Sequence, residues 1–330
     1  MKAMGVRAFG GADAIEVLDV EVPEPGPGEV LVRHAFAGLN FIDIYMRSGA
    51  YARSDTYKTP LPMVIGMEGA GEVVKLGANV QGFKAGDRVA YCIHRGAYAE
   101  YATVPAWRLV PVPGDVPLDV ATALQLQGST AHYLSTSAFP LKEGDVCLIH
   151  AGAGGVGQLL IQLAKALGAT VITTVGSAEK AAIAEARGAD HVINYRTEDF
   201  LPRVMDLTRR EGCHVVYDAV GRDTIARSIR STRRRGVCIN YGGASGLVEA
   251  VTPLELAEAG SIFFTRPHLS DYMQDEEEIR GRADDLFGMW RSGHLKVTID
   301  RIWPLAAARE AHKALEGGTS RGKLLLKMPE

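Results

Sequence analysis

The chain has 330 residues, 47% apolar and 23% charged, with a formal net charge of -3. That length suits two domains, and the near-balanced charge excludes a broad field for nucleic acid or an anionic membrane. No apolar run is long enough to span a bilayer, and the start, MKAMGVRAFGGADAIEV, has no stretch of signal-peptide type. The four cysteines, Cys92, Cys147, Cys213 and Cys238, are far apart in sequence, so neither a zinc knuckle nor a disulfide framework is indicated. A reducing, cytoplasmic setting is the expectation.

The first third reads as β-rich. EVLVRHAFA (Glu29 to Ala37), GEVVKLG, DRVAYCI and AYAEYATV are short, β-branched or aromatic segments bounded by glycine or charge. The Pro/Gly stretch EVPEPGPGEV marks a turn region. A helix is predicted from Pro117 to Ser137, with apolar positions at Val120, Ala123, Leu124, Ala131 and Leu134. From Asp145 the rhythm changes. DVCLIHA, TVITTV, DHVINY, CHVVYDAV, RGVCINYG and SIFFT read as six buried strands with helical segments between them. That alternation predicts an α/β fold with a doubly wound parallel sheet. Beyond Pro267 it breaks into a helix (EEEIRGRADDLFGMWRSG), a second helical segment (RIWPLAAAREAHKALEGG) and a last strand, GKLLLKM. These tail elements are expected to return to the N-terminal β domain, because six strands already complete the sheet. The expected domains are therefore 1–124 with 267–330, and 125–266. The triple arginine Arg233 to Arg235 reads as a solvated turn ahead of a strand, and the acidic run Asp275 to Glu278 as the first turn of a helix, where it meets the positive end of the dipole. His34, His132 and His150 read as packed histidines.

AGAGGVG sets Gly152, Gly154 and Gly157 in the G-x-G-x-x-G spacing. It follows a strand and opens a helix, which is the context that gives the pattern its meaning. The first glycine makes the turn, the second lets a pyrophosphate approach the backbone, and the third packs helix on strand. Gly155 and Val156 complete a loop whose amides, at a helix N-terminus, suit an anion. The residue closing the second strand, where an NAD-selective protein carries an acid, is Gly176. Ser177 can donate to a phosphate, Lys180 can neutralise one, and Tyr195 at the end of the third strand can reach the same region. The arrangement suits the 2'-phosphate of NADPH; the alternative for Lys180 is a solvated helix residue. Tyr241 and Gly242 follow the fifth strand, where ligands meet the carboxyl ends of an open sheet.

Several motifs together carry a family resemblance: AGLNFIDIYMRSGAY, PMVIGMEGAGEVVKLG, LQGSTAHYL, HAGAGGVGQLLIQLAKALGA, VINYRTEDF, VVYDAVGRDT and SIFFTRP. The chain resembles the medium-chain dehydrogenases/reductases, and among them the quinone oxidoreductases related to zeta-crystallin. The resemblance implies a Rossmann domain plus a GroES-like β-rich catalytic domain. It also implies that Asn40 and Thr130 lie toward the nicotinamide and that Tyr45 and Tyr51 line the substrate pocket. Arg321 either reaches the adenosine phosphates or is solvated. Where zinc alcohol dehydrogenases of this superfamily place Cys and His ligands, this chain has Asn40 and Met67, and no four-cysteine lobe is present. No metal is therefore expected.

A metal-free site must transfer hydride to an acceptor that is already electrophilic, with donors only where charge develops on oxygen. Asn40, Tyr45 and Tyr51 are the catalytic candidates. Asn40 can alternatively cap a turn, and the tyrosines can be an aromatic wall. The expected activity is NADPH-dependent reduction of a small-molecule quinone. The alternatives are a 2-alkenal or enone reductase and, from another class, a non-catalytic nucleotide- or RNA-binding relative of zeta-crystallin. Nucleic acid as main partner is disfavoured by the charge. A homodimer is expected through the apolar last Rossmann strand, Ser261 to Thr265.

Overall fold

Apolar side chains at Val30, Leu31, Val32, Ala37 and Leu39 are buried and organise a β-rich unit around one long strand. A computed structural model describes Met1 to Pro329 and divides the chain into two compact units. The first comprises residues 1–129, 272–293 and 297–330; the second comprises 130–271 and 294–296.

The first unit begins with β1 (Lys2–Val6), β2 (Glu16–Asp19), β3 (Glu29–Gly38) and β4 (Met63–Val64). It continues with β5 (Glu68–Leu76), β6 (Arg88–Cys92), β7 (Tyr101–Pro105) and β8 (Val110–Pro111). In the second unit come β9 (Val146–Ile149), β10 (Thr170–Val175), β11 (His191–Asn194), β12 (Cys213–Asp218), β13 (Thr232–Asn240) and β14 (Phe263–Thr265). The tail adds β15 (Ile299–Pro304) and β16 (Lys323–Lys327) to the first unit.

The second unit's sheet has six parallel strands in the order β11-β10-β9-β12-β13-β14, the doubly wound pattern expected from the alternation. Leu148, Ile172, Ile193, Val216 and Cys238 from its strands pack with Phe200, Val204, Ile225 and Ile229 from its helices. In the first unit a seven-stranded sheet runs β15-β16-β3-β5-β6-β8, with β7 also on β3, and a smaller sheet runs β2-β1-β4. The tail returns to the N-terminal β structure as expected: β16 pairs antiparallel with β3.

Four local expectations change. No strand was expected at β1 or β2, which are short and part exposed. Nor was one expected at β15, where Asp300 and Arg301 are adjacent and break any period-two pattern, and where the parallel partner β16 supplies the ladder. The helix expected from Pro117 to Ser137 is helical from Leu118 to Ala138 but not uniform: wide π-type turns at Leu124–Gly128 and Leu134–Ala138 flank an α segment, Ser129–Tyr133. Apolar spacing reports only the mean period and cannot register a locally widened turn. The expected strand Ser261 to Thr265 is shorter, starting at Phe263 after a left-handed Ser261. The three arginines are not a turn ahead of β13. They lie within it, exposed, where a register irregularity and a left-handed Arg235 open the ladder. Glu276–Arg291 is a helix as read, and Asp275 caps it by accepting the Glu278 amide.

His34, on β3, is buried as expected: Nδ1 donates to the Ala99 carbonyl and Nε2 accepts from the Tyr91 hydroxyl, both at 2.7 Å. Burial lowers its pKa from 6.5 to about 4. Unfolding restores the ordinary value, so between these pH values the unfolded chain binds the extra proton and stability falls as pH falls. The contribution lost by pH 4 is roughly 3 kcal/mol. His34→Gln keeps a donor for Ala99 and an acceptor for Tyr91 but does not titrate. Its chemical-denaturation stability is expected to fall less than wild type on acidification from pH 7 to pH 4.5, by roughly 2 kcal/mol. Equal acid slopes for the two proteins would refute this role.

Candidate functional site

In the second unit the glycine loop follows β9 directly. Gly154 is the N-cap of helix Gly155–Ala166, so Gly155, Val156 and Gly157 form its first turn. Their amides precede the first intrahelical bonds and are aligned for an anion. The three glycines have different reasons for being there. A Cβ at Gly152 would lie 2.1 Å from Thr173 Oγ1, and one at Gly157 would lie 2.3 Å from the Ala151 carbonyl oxygen. Gly157 therefore lets the helix start close against the Ala151–Gly152 turn that follows β9, while Gly152 is the glycine that meets a strand, at Thr173 of β10. A Cβ at Gly154 meets only the Ala151 oxygen, at 3.1 Å. Protein packing does not demand that glycine as strictly.

The carboxyl ends of β10 and β11 bring Gly176 and Tyr195 together. A Cβ on Gly176 would fall 2.5 Å from the Tyr195 hydroxyl, while the tyrosine itself is 54% exposed. Ser177 caps helix Ala178–Ala186, its Oγ accepting the backbone amide of Lys180 at 3.2 Å. Capping uses an acceptor lone pair of that hydroxyl and leaves its proton for a ligand oxygen. Gly176, Ser177, Lys180 and Tyr195 thus share one corner of the sheet, with no carboxylate closing β10.

At the neighbouring strand ends, the Tyr241 and Gly242 amides donate to the Asp218 carbonyl at 2.9 and 3.3 Å. Asn240 Nδ2 braces the same turn through Asp218 O and Gly242 O. His150 is packed, as read from the sequence. Ser228 donates to Asp218 Oδ2 at 2.6 Å, so its oxygen accepts from His150 Nε2, and His150 Nδ1 accepts from Thr174. This buried cluster ties the ends of β9, β10 and β12, whose following loops carry the candidate cofactor residues. Thr130 is buried in the α segment between the two wide turns.

In the first unit Asn40 caps helix Phe41–Ser48, and its side chain enters a buried polar network. Asn40 Nδ2 donates to Glu68 Oε2 at 2.8 Å, and Asn40 Oδ1 accepts from Lys323 at 2.8 Å. Lys323 also pairs with Glu68. Asp43, three residues on, accepts the Asn40 backbone amide at 2.9 Å and the Met67 amide at 3.0 Å. Burial raises the Asp43 carboxyl to about 7, although those amides and Lys323 pull the other way. A chain of side chains continues outward. Arg47 can only donate, so His312 Nδ1 accepts from it, His312 Nε2 donates to Tyr98, and Tyr98 donates to Asp43. Arg47 then pairs with Glu316 at 2.5 Å. An arginine only donates, so this chain of contacts serves as a brace.

Tyr45 and Tyr51 are adjacent, with ring centroids 5.3 Å apart, and Tyr51 stacks on Tyr57 at 5.4 Å and 14°. The sequence reading missed Tyr57, Asp43, Glu68 and Lys323. Tyr57 and Lys323 gave no local signal. Asp43 was legible as the third helix residue after a capping Asn, and Glu68 as an acid in an apolar strand. Arg321 lies just before β16, where its amide donates to Asp300 at 3.0 Å beside a cavity of about 160 Å³ lined also by Arg301, Trp303 and Ser320.

The donor set does not fit zinc. Asn40 and Met67 occupy the expected ligand positions, and the Lys323 ammonium already neutralises Glu68 there. Among the described residues no three His, Cys, Asp or Glu side chains converge.

A Rossmann sheet with its glycine loop, in one chain with a β unit of this kind, defines a medium-chain dehydrogenase/reductase. Residues 26–114 match the alcohol dehydrogenase GroES-like domain family, and residues 155–280 match the family described as zinc-binding dehydrogenase. The chain is 41% identical to the quinone oxidoreductase of Pseudomonas aeruginosa, over 98% of this chain and 99% of that one. It is 40% identical to a 2-haloacrylate reductase from a Burkholderia species, over 97% of each. The structure of Escherichia coli quinone oxidoreductase complexed with NADPH superposes with a TM-score of 0.95 at 38% identity, covering 99% of this chain and 100% of that one. The chain belongs to the quinone oxidoreductase family.

Proposed function

We propose that the protein is an NADPH:quinone oxidoreductase acting without a metal. The observation that carries this reading is the acid-free corner of Gly176, Ser177, Lys180 and Tyr195 beside an intact glycine loop. The Gly155–Val156–Gly157 turn holds the pyrophosphate, Ser177 and Lys180 hold the 2'-phosphate, and Tyr195 covers the adenosine side. Tyr241 and Gly242 bound the cofactor at the next strand end, and Thr130 lies toward its nicotinamide. Arg321 is assigned to its phosphates. Bound NADPH supplies a hydride. The chain's part is to orient the acceptor and offer donors to its oxygen. The aromatic cluster of Tyr45, Tyr51 and Tyr57, in which Tyr51 stacks on Tyr57, suits a planar quinone, and Tyr45, Tyr51 and Asn40 are the residues this reading assigns to the acceptor oxygen.

Reduction of an activated alkene by the same residues is the second reading, favoured by the 2-haloacrylate reductase among the relatives. Steady-state rates with NADPH against benzoquinone, naphthoquinone, an alkenal and an enone distinguish the two. Turnover of alkenes alone would reverse their order, and no turnover of any acceptor would refute both.

A homodimer and a cytoplasmic setting belong to the same proposal. Four unpaired, buried cysteines suit a reducing compartment, and no helix is long and apolar enough to cross a membrane among the described residues. β14 ends the six-stranded sheet, and Phe263 on it is 64% exposed. An apolar edge of this kind is stabilised by pairing with its copy. Light scattering at micromolar concentration is expected to give twice the chain mass, and Phe263→Asp to shift it toward the monomer. A wild-type monomer would refute the interface.

A further inference from the structure

Lys323 and Glu68 form an ion pair with 1% and 0% of their side chains exposed. The chain is shaped around it. A Cβ on Gly38 would fall 1.9 Å from Glu68 Oε2 and 2.9 Å from Lys323 Nζ, so only glycine at that point of β3 admits the pair. Glu68 Oε1 accepts the amide of Leu126 at 2.6 Å, in the first wide turn of the long helical segment. Burying two charges is expensive and seldom justified by stability alone. What the pair does locally is close a three-membered ring with Asn40: lysine to Asn40 Oδ1, lysine to Glu68 Oε2, and Asn40 Nδ2 to the same carboxylate oxygen.

A carboxamide is nearly symmetric in shape, so packing alone does not distinguish its oxygen from its nitrogen. Charge does. Lysine only donates and an ionised glutamate only accepts. The reversed Asn40 amide would set NH2 against NH3+ and C=O against carboxylate, two repulsive contacts in a buried site. The second Asn40 N–H is the weakly held one, 3.5 Å from the Gly38 carbonyl, at the outer limit of a hydrogen bond.

We propose that Lys323 and Glu68 are positioning residues that lock Asn40 as a one-way hydrogen-bond donor, so that its weakly held second N–H is offered to the oxygen of the acceptor. This assignment rests on the reductase reading for its catalytic consequence, but the orientation of Asn40 does not. The selectivity that follows is for ligands presenting a carbonyl or developing oxyanion at this point and against ligands presenting a hydroxyl donor alone.

The test uses the whole protein with 15N-labelled asparagine, of which the chain has four; the Asn40 side-chain resonance is assigned by its loss in Asn40→Ser. Wild type should show a single, slowly exchanging Asn40 NH2 pair. A doubled or freely exchanging pair in wild type overturns the lock, whatever the variants do. Lys323→Met with Glu68→Gln removes both charges together and leaves an acceptor for Leu126. This double variant is expected to hold the wild-type melting temperature within a few degrees and the wild-type Kd for NADPH. Its Asn40 pair should split or exchange rapidly, and kcat for quinone should fall roughly 100- to 1,000-fold, the scale of losing one aligned donor. A purely structural pair would lower the melting temperature and leave kcat in step with the folded fraction, which overturns the proposal. So does a folded double variant with wild-type kcat and an unchanged Asn40 signal. Should wild type reduce no acceptor, the reductase reading fails, while the Asn40 spectra still decide the lock.

Discussion

Gly157→Ala is expected to weaken NADPH binding by up to about 100-fold and to lower the melting temperature, whereas Gly154→Ala is expected to weaken binding while leaving the fold intact. The difference lies in what each new methyl would meet. At position 157 the obstacle is backbone, the Ala151 oxygen at 2.3 Å and the Gly152 Cα at 2.9 Å. No side chain can swing aside, so helix Gly155–Ala166 must lift from the end of β9. Overpacking of this kind costs about 1–3 kcal/mol, and here it also displaces the amides meant for the pyrophosphate. A loss of about 3 kcal/mol, the top of that range, is on the order of 100-fold in affinity. At position 154 the nearest atom is 3.1 Å away, so the folded chain accommodates the methyl. The ligand does not, because the second glycine of the motif is where the pyrophosphate reaches the backbone. Nucleotide titration by fluorescence, with thermal melts of both variants, checks the pair. Wild-type affinity in Gly154→Ala would mean that the phosphates do not pass over this residue.

Lys180→Ala is expected to raise the Michaelis constant for NADPH about 10- to 150-fold and to leave NADH kinetics nearly unchanged. A lysine-phosphate contact at a partly exposed site is a charge-assisted hydrogen bond of about 1.5–3 kcal/mol, which gives that range. NADH has no 2'-phosphate for the lysine to meet. Ser177 is not expected to compensate, since its neutral hydroxyl offers the phosphate one hydrogen bond and no charge. Gly176→Asp should move preference toward NADH by repelling the phosphate and offering an acceptor to the ribose hydroxyls. Its side chain starts 2.5 Å from the Tyr195 hydroxyl. That contact is with the far end of a half-exposed side chain, so the tyrosine can move without disturbing the strand. The ratio of catalytic efficiencies for the two cofactors in wild type and both variants is the measurement. A wild-type preference for NADH, or equal weakening of both cofactors in Lys180→Ala, would show that this corner does not hold the phosphate.

The grouping of the candidate cofactor residues was legible because it is local. AGAGGVG, Gly176, Ser177, Lys180 and Tyr195 sit at the ends of strands whose order follows from the β-α alternation, and Gly176 and Tyr195 meet because β10 and β11 are neighbours in that order. The Tyr45–Tyr51 pair is similarly close in sequence, and a capping Asn followed three residues later by an acid is visible without a structure. The environment of Asn40 was not. Its partners come from positions 68 and 323, and no pattern within one segment announces that a lysine near the end of the chain will neutralise a glutamate on β5.

By itself the sequence determined the doubly wound sheet, the glycine-loop turn, the absence of an acid at the end of β10 and the return of the tail to the β unit. The sheet and the turn follow from residue periodicity and glycine's steric freedom, the missing acid is read directly from residue identity, and the return of the tail follows from a sheet already complete at six strands. Only the tertiary structure decided where Asn40's amide points, why Gly38 must lack a side chain, and why the segment Leu118–Ala138 widens at Leu124–Gly128, where Leu126 meets Glu68. Those features depend on buried charges brought together from distant parts of the chain. Such charges have to satisfy one another once water is gone, and which partners they find is a property of the packed fold.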